Sequence, residues 1–297
     1  MNKVIITGAG GFVGSALTQK FIENGFEVIA ISQAFNPMFP NHSSIKRIES
    51  EIIDKDNLIK VIPEDEYIAF YNLAWRGVNG PEKTNPYIQI ANVKMALICA
   101  DVALALHCPK YLCSGTIAER SVDCLEALDK TSGGMMYGTA KHCTHLILET
   151  YCKNMSLPFV WMQFSNIYGP QNKTGNLVSY TLEQLIKGRE ATFGPAKQPY
   201  DLIFIDDIIE AIYRLGIKDT KRNFYFIGSG KPRMLKDYLL TIGELFERKE
   251  LVKIGVRPDD GIKYDVSMFD TKELIEDIGE YVSGSFEEHI KYTIANY

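Results

Sequence analysis

Tryptophan and histidine are scarce in this 297-residue chain, at 2 and 5 residues, and its 6 cysteines include no C-x-x-C pair. Neither the histidines (His42, His107, His142, His145, His289) nor the cysteines (Cys99, Cys108, Cys113, Cys124, Cys143, Cys152) fall at metal-ligand spacing, so no metal centre is expected. No charge sign dominates. The 32 Lys and Arg against 37 Asp and Glu give a net charge of −5, which excludes a broad basic surface for nucleic acid. An anionic ligand must therefore be held by a local site. Long apolar runs are also missing: the longest, Met95 to Leu106, is broken by Asp101 and falls short of the ~20 residues that cross a bilayer. The amino end enters Lys3-Val4-Ile5-Ile6 directly, without a signal-peptide core. Reduced thiols and no membrane anchor make a cytoplasmic protein the expectation.

What is present is ordinary for a soluble globule, with 46% apolar and 23% charged residues. In the first two thirds, short β-branched runs alternate with segments of helical period, the pattern of a parallel sheet with crossover helices. Strands are predicted at Lys3–Thr7, Phe26–Ile31, Ile45–Ile48, Tyr67–Leu73, Lys110–Ser114, Phe159–Phe164 and Asp201–Ile205. The clearest helices are Phe12–Asn24, Pro86–Leu106 and Met135–Asn154. Right-handed crossovers would wind these into an α/β fold of Rossmann type, a doubly wound parallel sheet with its ligand beyond the carboxyl ends of the strands. After Phe164 the rhythm breaks at Pro170, Gly175, Gly188, Gly194, Pro195 and Pro199, then Asp201–Leu215 and Asn223–Ile227 read as a return to the sheet. A smaller, discontinuous C-terminal unit is expected: residues 1–166 and 200–227 in the sheet-bearing unit, 167–199 and 228–297 in the second.

The first strand runs into Thr7-Gly8-Ala9-Gly10-Gly11-Phe12-Val13-Gly14. Gly8 permits a tight turn, Gly11 a close approach of backbone to a pyrophosphate, and Gly14 close packing of helix on strand. The phosphates would rest on the helix N-terminus at Phe12 and Val13, where N–H groups are unpaired and the dipole is positive. Tyr137 and Lys141, at i and i+4, share one helix face and bring phenol and ammonium together. A neighbouring cation favours phenolate, so Tyr137 is the candidate proton donor and acceptor.

The Gly-x-x-Gly-x-x-Gly spacing resembles the extended short-chain dehydrogenase/reductase superfamily, in its branch of nucleotide-sugar epimerases, dehydratases and reductases. Asn72-Leu73-Ala74, Asn92-Val93, Cys113-Ser114-Gly115-Thr116, Tyr137-Gly138-Thr139-Ala140-Lys141 and Asn166-Ile167-Tyr168-Gly169-Pro170 match further marks of that branch, in order. The resemblance implies NAD(P), a nucleotide-diphosphate sugar as substrate, and hydride transfer at a sugar carbon, C4 by expectation. It places Leu73, Ala74 and Asn92 beside the cofactor, gives Lys141 a second role on the nicotinamide ribose, and makes Ser114 and Thr116 hydroxyls at the reacting oxygen. It also implies a homodimer through a four-helix bundle of Pro86–Leu106 and Met135–Asn154.

Departures from the family sharpen the reading. Ser32, followed by Gln33, stands where an Asp usually bonds the ribose 2′-hydroxyl, a slight lean to NADP(H). Gly115 and Thr116 occupy the places, counted from Ser114, of the Asp-Glu pair of 4,6-dehydratases, so epimerisation or 4-ketoreduction is favoured. Glu119 is expected to be solvated, its alternative an acid in an atypical dehydration; a non-catalytic dinucleotide-binding regulator is the remaining alternative. Asn166 and Leu177 match substrate contacts of the family. Tyr200 replaces its first pyrophosphate-clamping arginine, which leaves Arg257, with Lys197 as help, as the expected clamp. Trp75 and Arg76 are candidates for shaping the sugar pocket, and the chain is short for this family, a shortening assigned to its substrate half.

Overall fold

The computed structural model describes residues 2–128, 131, 133–259 and 261–297. Its strands are β1 (Lys3–Thr7), β2 (Glu27–Ser32), β3 (Ile45–Glu49), β4 (Ala69–Asn72), β5 (Tyr111–Thr116), β6 (Phe159–Phe164), β7 (Asn166–Tyr168), β8 (Ala191–Thr192), β9 (Pro199–Tyr200), β10 (Leu202–Phe204), β11 (Phe224–Ile227), β12 (Arg233–Met234) and β13 (Val252–Lys253). The helices are α1 (Phe12–Glu23), α2 (Lys55–Val61), α3 (Pro86–Ala105), α4 (Gly133–Asn154), α5 (Leu177–Ile186), α6 (Ile205–Ile217), α7 (Leu235–Leu245), α8 (Lys272–Ile278) and α9 (Phe286–Ala295). Seven strands form one sheet in the order β11-β6-β5-β4-β1-β2-β3, every pairing parallel. This is the doubly wound arrangement expected. Its order reverses between β1 and β4, and the crevice beyond their carboxyl ends receives the site.

Alternate residues of the central strands feed two different cores. Val4, Ile6, Val28 and Ala30 join the layer that includes Leu17 and Phe21 of α1 and Ile208 and Ile212 of α6. Ile5, Ile29 and Ile31 join the opposite layer, with Cys99 and Ala103 of α3 and Leu148 of α4. Burial on both faces is why these strands read as unbroken apolar runs. By length and composition α3 resembles a membrane span. Its Ala96, Cys99, Ala100 and Ala103 are nonetheless buried in the core.

One boundary differs instructively. The strand expected at Asp201–Ile205 does not return to the main sheet: Leu202–Phe204 pairs with Asn166–Tyr168 in a separate two-stranded sheet. The return is made by β11 alone, which pairs β6 at the sheet edge. Just after β6 the chain leaves the sheet, because Ser165 N–H still bonds Ile227 O at 2.9 Å while its hydroxyl donates to Asp201 O at 2.8 Å.

Gly216, near the end of α6, shows how tightly the layers meet. A Cβ there would overlap the Tyr71 hydroxyl of β4, which donates to Ile212 O. Helix propensity alone favours Ala over Gly by about 1 kcal/mol. Gly216→Ala is instead expected to destabilise by about 1–3 kcal/mol, since the phenol must leave its slot. Urea unfolding checks the sign, and a stabilised variant would refute this packing.

Candidate active site

Beyond the sheet's switch point lies a cleft of about 530 Å³ that runs continuously from the Gly-rich turn to the start of α5. At one end are Gly8, Gly11, Phe12, Val13 and Gly14, with Ser32 and Gln33 at the tip of β2. Gly8 holds φ +72°, and a Cβ on it would press on the Ala74 backbone at 2.6 Å. Gly11 is the N-cap of α1 and no side chain caps that helix, so its first-turn N–H groups are available to an anion. By contrast Asn176 caps α5 through the Ser179 N–H at 3.0 Å. A bare amide rim with no room for side chains fits the pyrophosphate of a dinucleotide.

The reacting end is built where β5 meets α4. Lys141 is buried, and its Nζ donates to Ser114 O at 2.5 Å and Ser114 Oγ at 3.3 Å while lying 3.9 Å from the Trp75 ring centroid. Burial lowers its pKa from the ordinary lysine value, and the Cys113 and Glu119 charges oppose that shift. The Tyr137 phenol shares the cleft with Thr116; burial raises its pKa above the ordinary value, and the Thr116 side chain opposes that shift. One detail is new here: Ser114 engages the lysine, and the Lys141 ammonium is shared between Ser114 and Trp75.

Trp75 packs edge-on to Tyr137 with ring centroids 6.1 Å apart, and its indole N–H donates to Gln89 Oε1 at 2.9 Å. Lys83, which the sequence reading missed, lines the cleft with its Nζ 5.3 Å from the Tyr137 ring centroid. Arg76 lines the cleft and pairs with Glu82 at 2.6 Å. Leu73 and Ala74 line the cleft as expected, whereas Asn92 does not. Its amide is consumed by the Arg76 backbone, donating to O at 2.7 Å and accepting from N–H at 2.9 Å, so it pins the 74–76 loop.

At the far end Asn166, Leu177 and Tyr200 line the cleft, joined by Asn172, Thr174 and Asn176. Arg257 and Lys197 are not among its lining residues. The Arg257 guanidinium instead donates to Thr192 Oγ1 at 2.9 Å and Tyr180 Oη at 2.7 Å, lying over the Tyr180 ring. The expected clamp therefore stands behind α5.

Glu119 is the largest surprise. It is 2% exposed, not solvated, and accepts hydrogen bonds from Thr116 N–H at 2.6 Å, Trp161 Nε1 at 3.1 Å and Gln163 Nε2 at 3.2 Å. The signal was present in the sequence as Thr116-Ile117-Ala118-Glu119, the spacing of a capping box, which the structure contains. His145 stacks on Trp161 at 4.9 Å, and burial lowers its pKa to about 4.

Residues 4–228 match the family model "NAD dependent epimerase/dehydratase family". The putative UDP-glucose 4-epimerase of Methanocaldococcus jannaschii is 22% identical, over 82% of this chain and 80% of that protein. The ADP-L-glycero-D-manno-heptose-6-epimerase of Fusobacterium nucleatum is 24% identical, covering 86% of each chain. Among solved structures, the UDP-glucose 4-epimerase of Thermotoga maritima with UDP-glucose superposes with a TM-score of 0.84 at 20% identity, covering 99% of this chain and 98% of that one. Against that fold the substrate half is not shortened, contrary to expectation. The dTDP-glucose 4,6-dehydratase of Bacillus anthracis in complex with NAD has a TM-score of 0.81 at 17% identity, covering 99% and 96%. With the glycine turn, the Tyr-Lys helix and the strand-end threonine converging on one cleft, the chain belongs to the NAD-dependent epimerase/dehydratase family.

Proposed function

We propose that this chain is a nucleotide-sugar epimerase or 4-ketoreductase acting on a nucleoside-diphosphate sugar, with Tyr137 as proton donor and acceptor. The observation that carries this reading is that Thr116, Tyr137 and Lys141 line one cleft continuous with the Gly-rich turn. When bound, the nicotinamide supplies hydride acceptance and return. The chain's own residues do the rest. Tyr137 Oη moves the proton of the reacting hydroxyl, and Thr116 holds that oxygen in place. Lys141, held by Ser114, would bond the cofactor ribose, and Gly8, Gly11, Gly14 and the α1 amides would hold the pyrophosphate. Asn166, Leu177 and the start of α5 take the substrate diphosphate. Dehydration is disfavoured because no Asp or Glu lines the cleft among the described residues; counted from Thr116, the next two positions are Ile117 and Ala118.

Cofactor preference is read at the tip of β2. Ser32 leaves room for a 2′-phosphate and carried the lean to NADP(H). Gln33, however, reaches the Glu51 carboxylate at 3.4 Å, and Arg47 is turned to Pro40 O at 2.9 Å and the Phe39 ring. A carboxylate at this edge favours NAD.

The two-unit division, residues 1–166 with 200–227 and 167–199 with 228–297, follows from the same reading. So does a cytoplasmic homodimer through α3 and α4, supported by apolar residues exposed on both: Tyr87 at 81%, Ile90 at 65% and Leu146 at 52%. Mass spectrometry of the small molecules released on denaturing freshly purified protein tests the function. A retained NAD with a nucleotide sugar supports epimerisation, and a freely exchanging reduced cofactor supports ketoreduction. Failure to bind any nicotinamide dinucleotide would overturn both.

A further inference from the structure

We propose that Glu119 is a positioning residue for the proton transfer at Tyr137: its buried carboxylate fixes the Thr116 side chain that lines the cleft with the phenol and holds positive charge on Lys141. The inference rests on the reading of Tyr137 as the acid–base group. Glu119 is outside the cleft lining, so it touches neither substrate nor cofactor and acts through its neighbours.

Three observations place it behind the site. First, the bond from Thr116 N–H, together with Ala118 N–H donating to Thr116 Oγ1 at 3.3 Å, closes a corner between β5 and the 3₁₀ turn Ile117–Ala127. The corner sets the threonine side chain that lines the cleft with Tyr137. Second, the Trp161 indole and the Glu119 carboxylate both lie against Gly115: a Cβ would overlap Trp161 Nε1 and come 2.6 Å from Glu119 Oε1. Third, the described neighbours that donate to its oxygens are all N–H groups. Three N–H donors favour the charged carboxylate and oppose the upward pKa shift that burial causes.

Trp161 links the two charges: its Nε1 donates to Glu119 at 3.1 Å, and the Lys141 Nζ lies 5.9 Å from its ring centroid. The other titratable groups that interact with Glu119 are Tyr137 from α4 and Cys113 from β5. His145 of α4 lies beyond the Trp161 ring, and Arg120, on the same turn as Glu119, is held by Gln163 Oε1 at 3.2 Å. Burial raises the Glu119 pKa and lowers that of Lys141, while attraction between the two opposes both shifts. Each charge therefore preserves the other, and losing the carboxylate leaves a desolvated ammonium without its counter-charge.

Glu119→Gln keeps the shape and removes the charge. Two readouts test it. NMR of lysine labelled at Cε, with Lys141 assigned from Lys141→Met, reports the Lys141 pKa without cofactor or substrate, and pH profiles of kcat and KM report the reaction. The Lys141 pKa is expected to fall by about one unit or more, as for loss of an opposing charge at close range. The alkaline limb of kcat should move down in step, with kcat at neutral pH about 10- to 100-fold lower and KM within about threefold. An unshifted Lys141 titration, or a kcat profile that superposes on wild type after scaling, would overturn the proposal and leave Glu119 a structural residue. Should Glu119→Gln not fold, Gln163→Met removes one donor from the carboxylate. Losing a donor favours the protonated form, so the acid limb of kcat must rise in pH; an unmoved limb counts against the proposal. If instead the assigned reaction is wrong, Tyr137→Phe leaves turnover intact while the Lys141 titration still responds to Glu119→Gln.

Discussion

Tyr137→Phe should lower kcat by about a thousandfold, near 4 kcal/mol of transition-state stabilisation, while dinucleotide affinity stays within about threefold. The substitution is unusually clean in this site. Phenylalanine keeps the ring that packs edge-on to Trp75 at 78° and lies beneath the Lys83 ammonium. Only the hydroxyl is lost, and with it the interaction by which the Thr116 side chain lowers the phenol's pKa. Since burial raises the phenol's pKa, the group is neutral at pH 7 in the free protein, and its removal deletes no charge. Folding stability should change by no more than about 1 kcal/mol, the net worth of a typical hydrogen bond. Single-turnover measurements with excess enzyme separate the chemical step from release. A variant that turns over the true substrate at the wild-type rate would falsify the assignment of Tyr137.

Gly14→Ala should weaken dinucleotide binding by about a hundredfold, or about 2.7 kcal/mol. One methyl group has this leverage because of what it meets. The new Cβ would overlap the Gly8 carbonyl oxygen and lie 2.7 Å from Ala9 Cα. Both are backbone, so neither can rotate aside, and α1 must move away from β1. The uncapped amides of its first turn move with it, in the place where the phosphates are to be held. Calorimetric titration measures the loss, and a small drop in melting temperature is expected alongside it. Unchanged affinity would show that the phosphates lie elsewhere.

Much of the site was legible because its parts are local in sequence. Glycine spacing in a turn and an i, i+4 pair on a helix are fixed by backbone geometry, whatever the rest of the chain does. The engagement of the lysine by Ser114 was not legible. Residues two apart on a strand share one face, so only the placement of α4 decides which hydroxyl meets the ammonium. Glu119 sits in a polar stretch that reads as surface; its burial depends on Trp161 and Gln163 from β6, 42 and 44 residues away. Arg257 failed for the opposite reason. Its motif matched, but Thr192 and Tyr180, 65 and 77 residues distant, draw the guanidinium behind α5. The strand Leu202–Phe204 was found and given the wrong sheet, because its partner is β7, a three-residue strand too short to register as a pattern.

The Lys141 ammonium lies 3.9 Å from the ring centroid of Trp75 and 5.9 Å from that of Trp161, and the chain has only these 2 tryptophans. Its entire indole fluorescence thus originates within reach of one buried ammonium. Emission from the unmodified protein is a site-specific spectroscopic signal: ligand entry, movement of the lysine and its loss of a proton all register there, with no other tryptophan in the background.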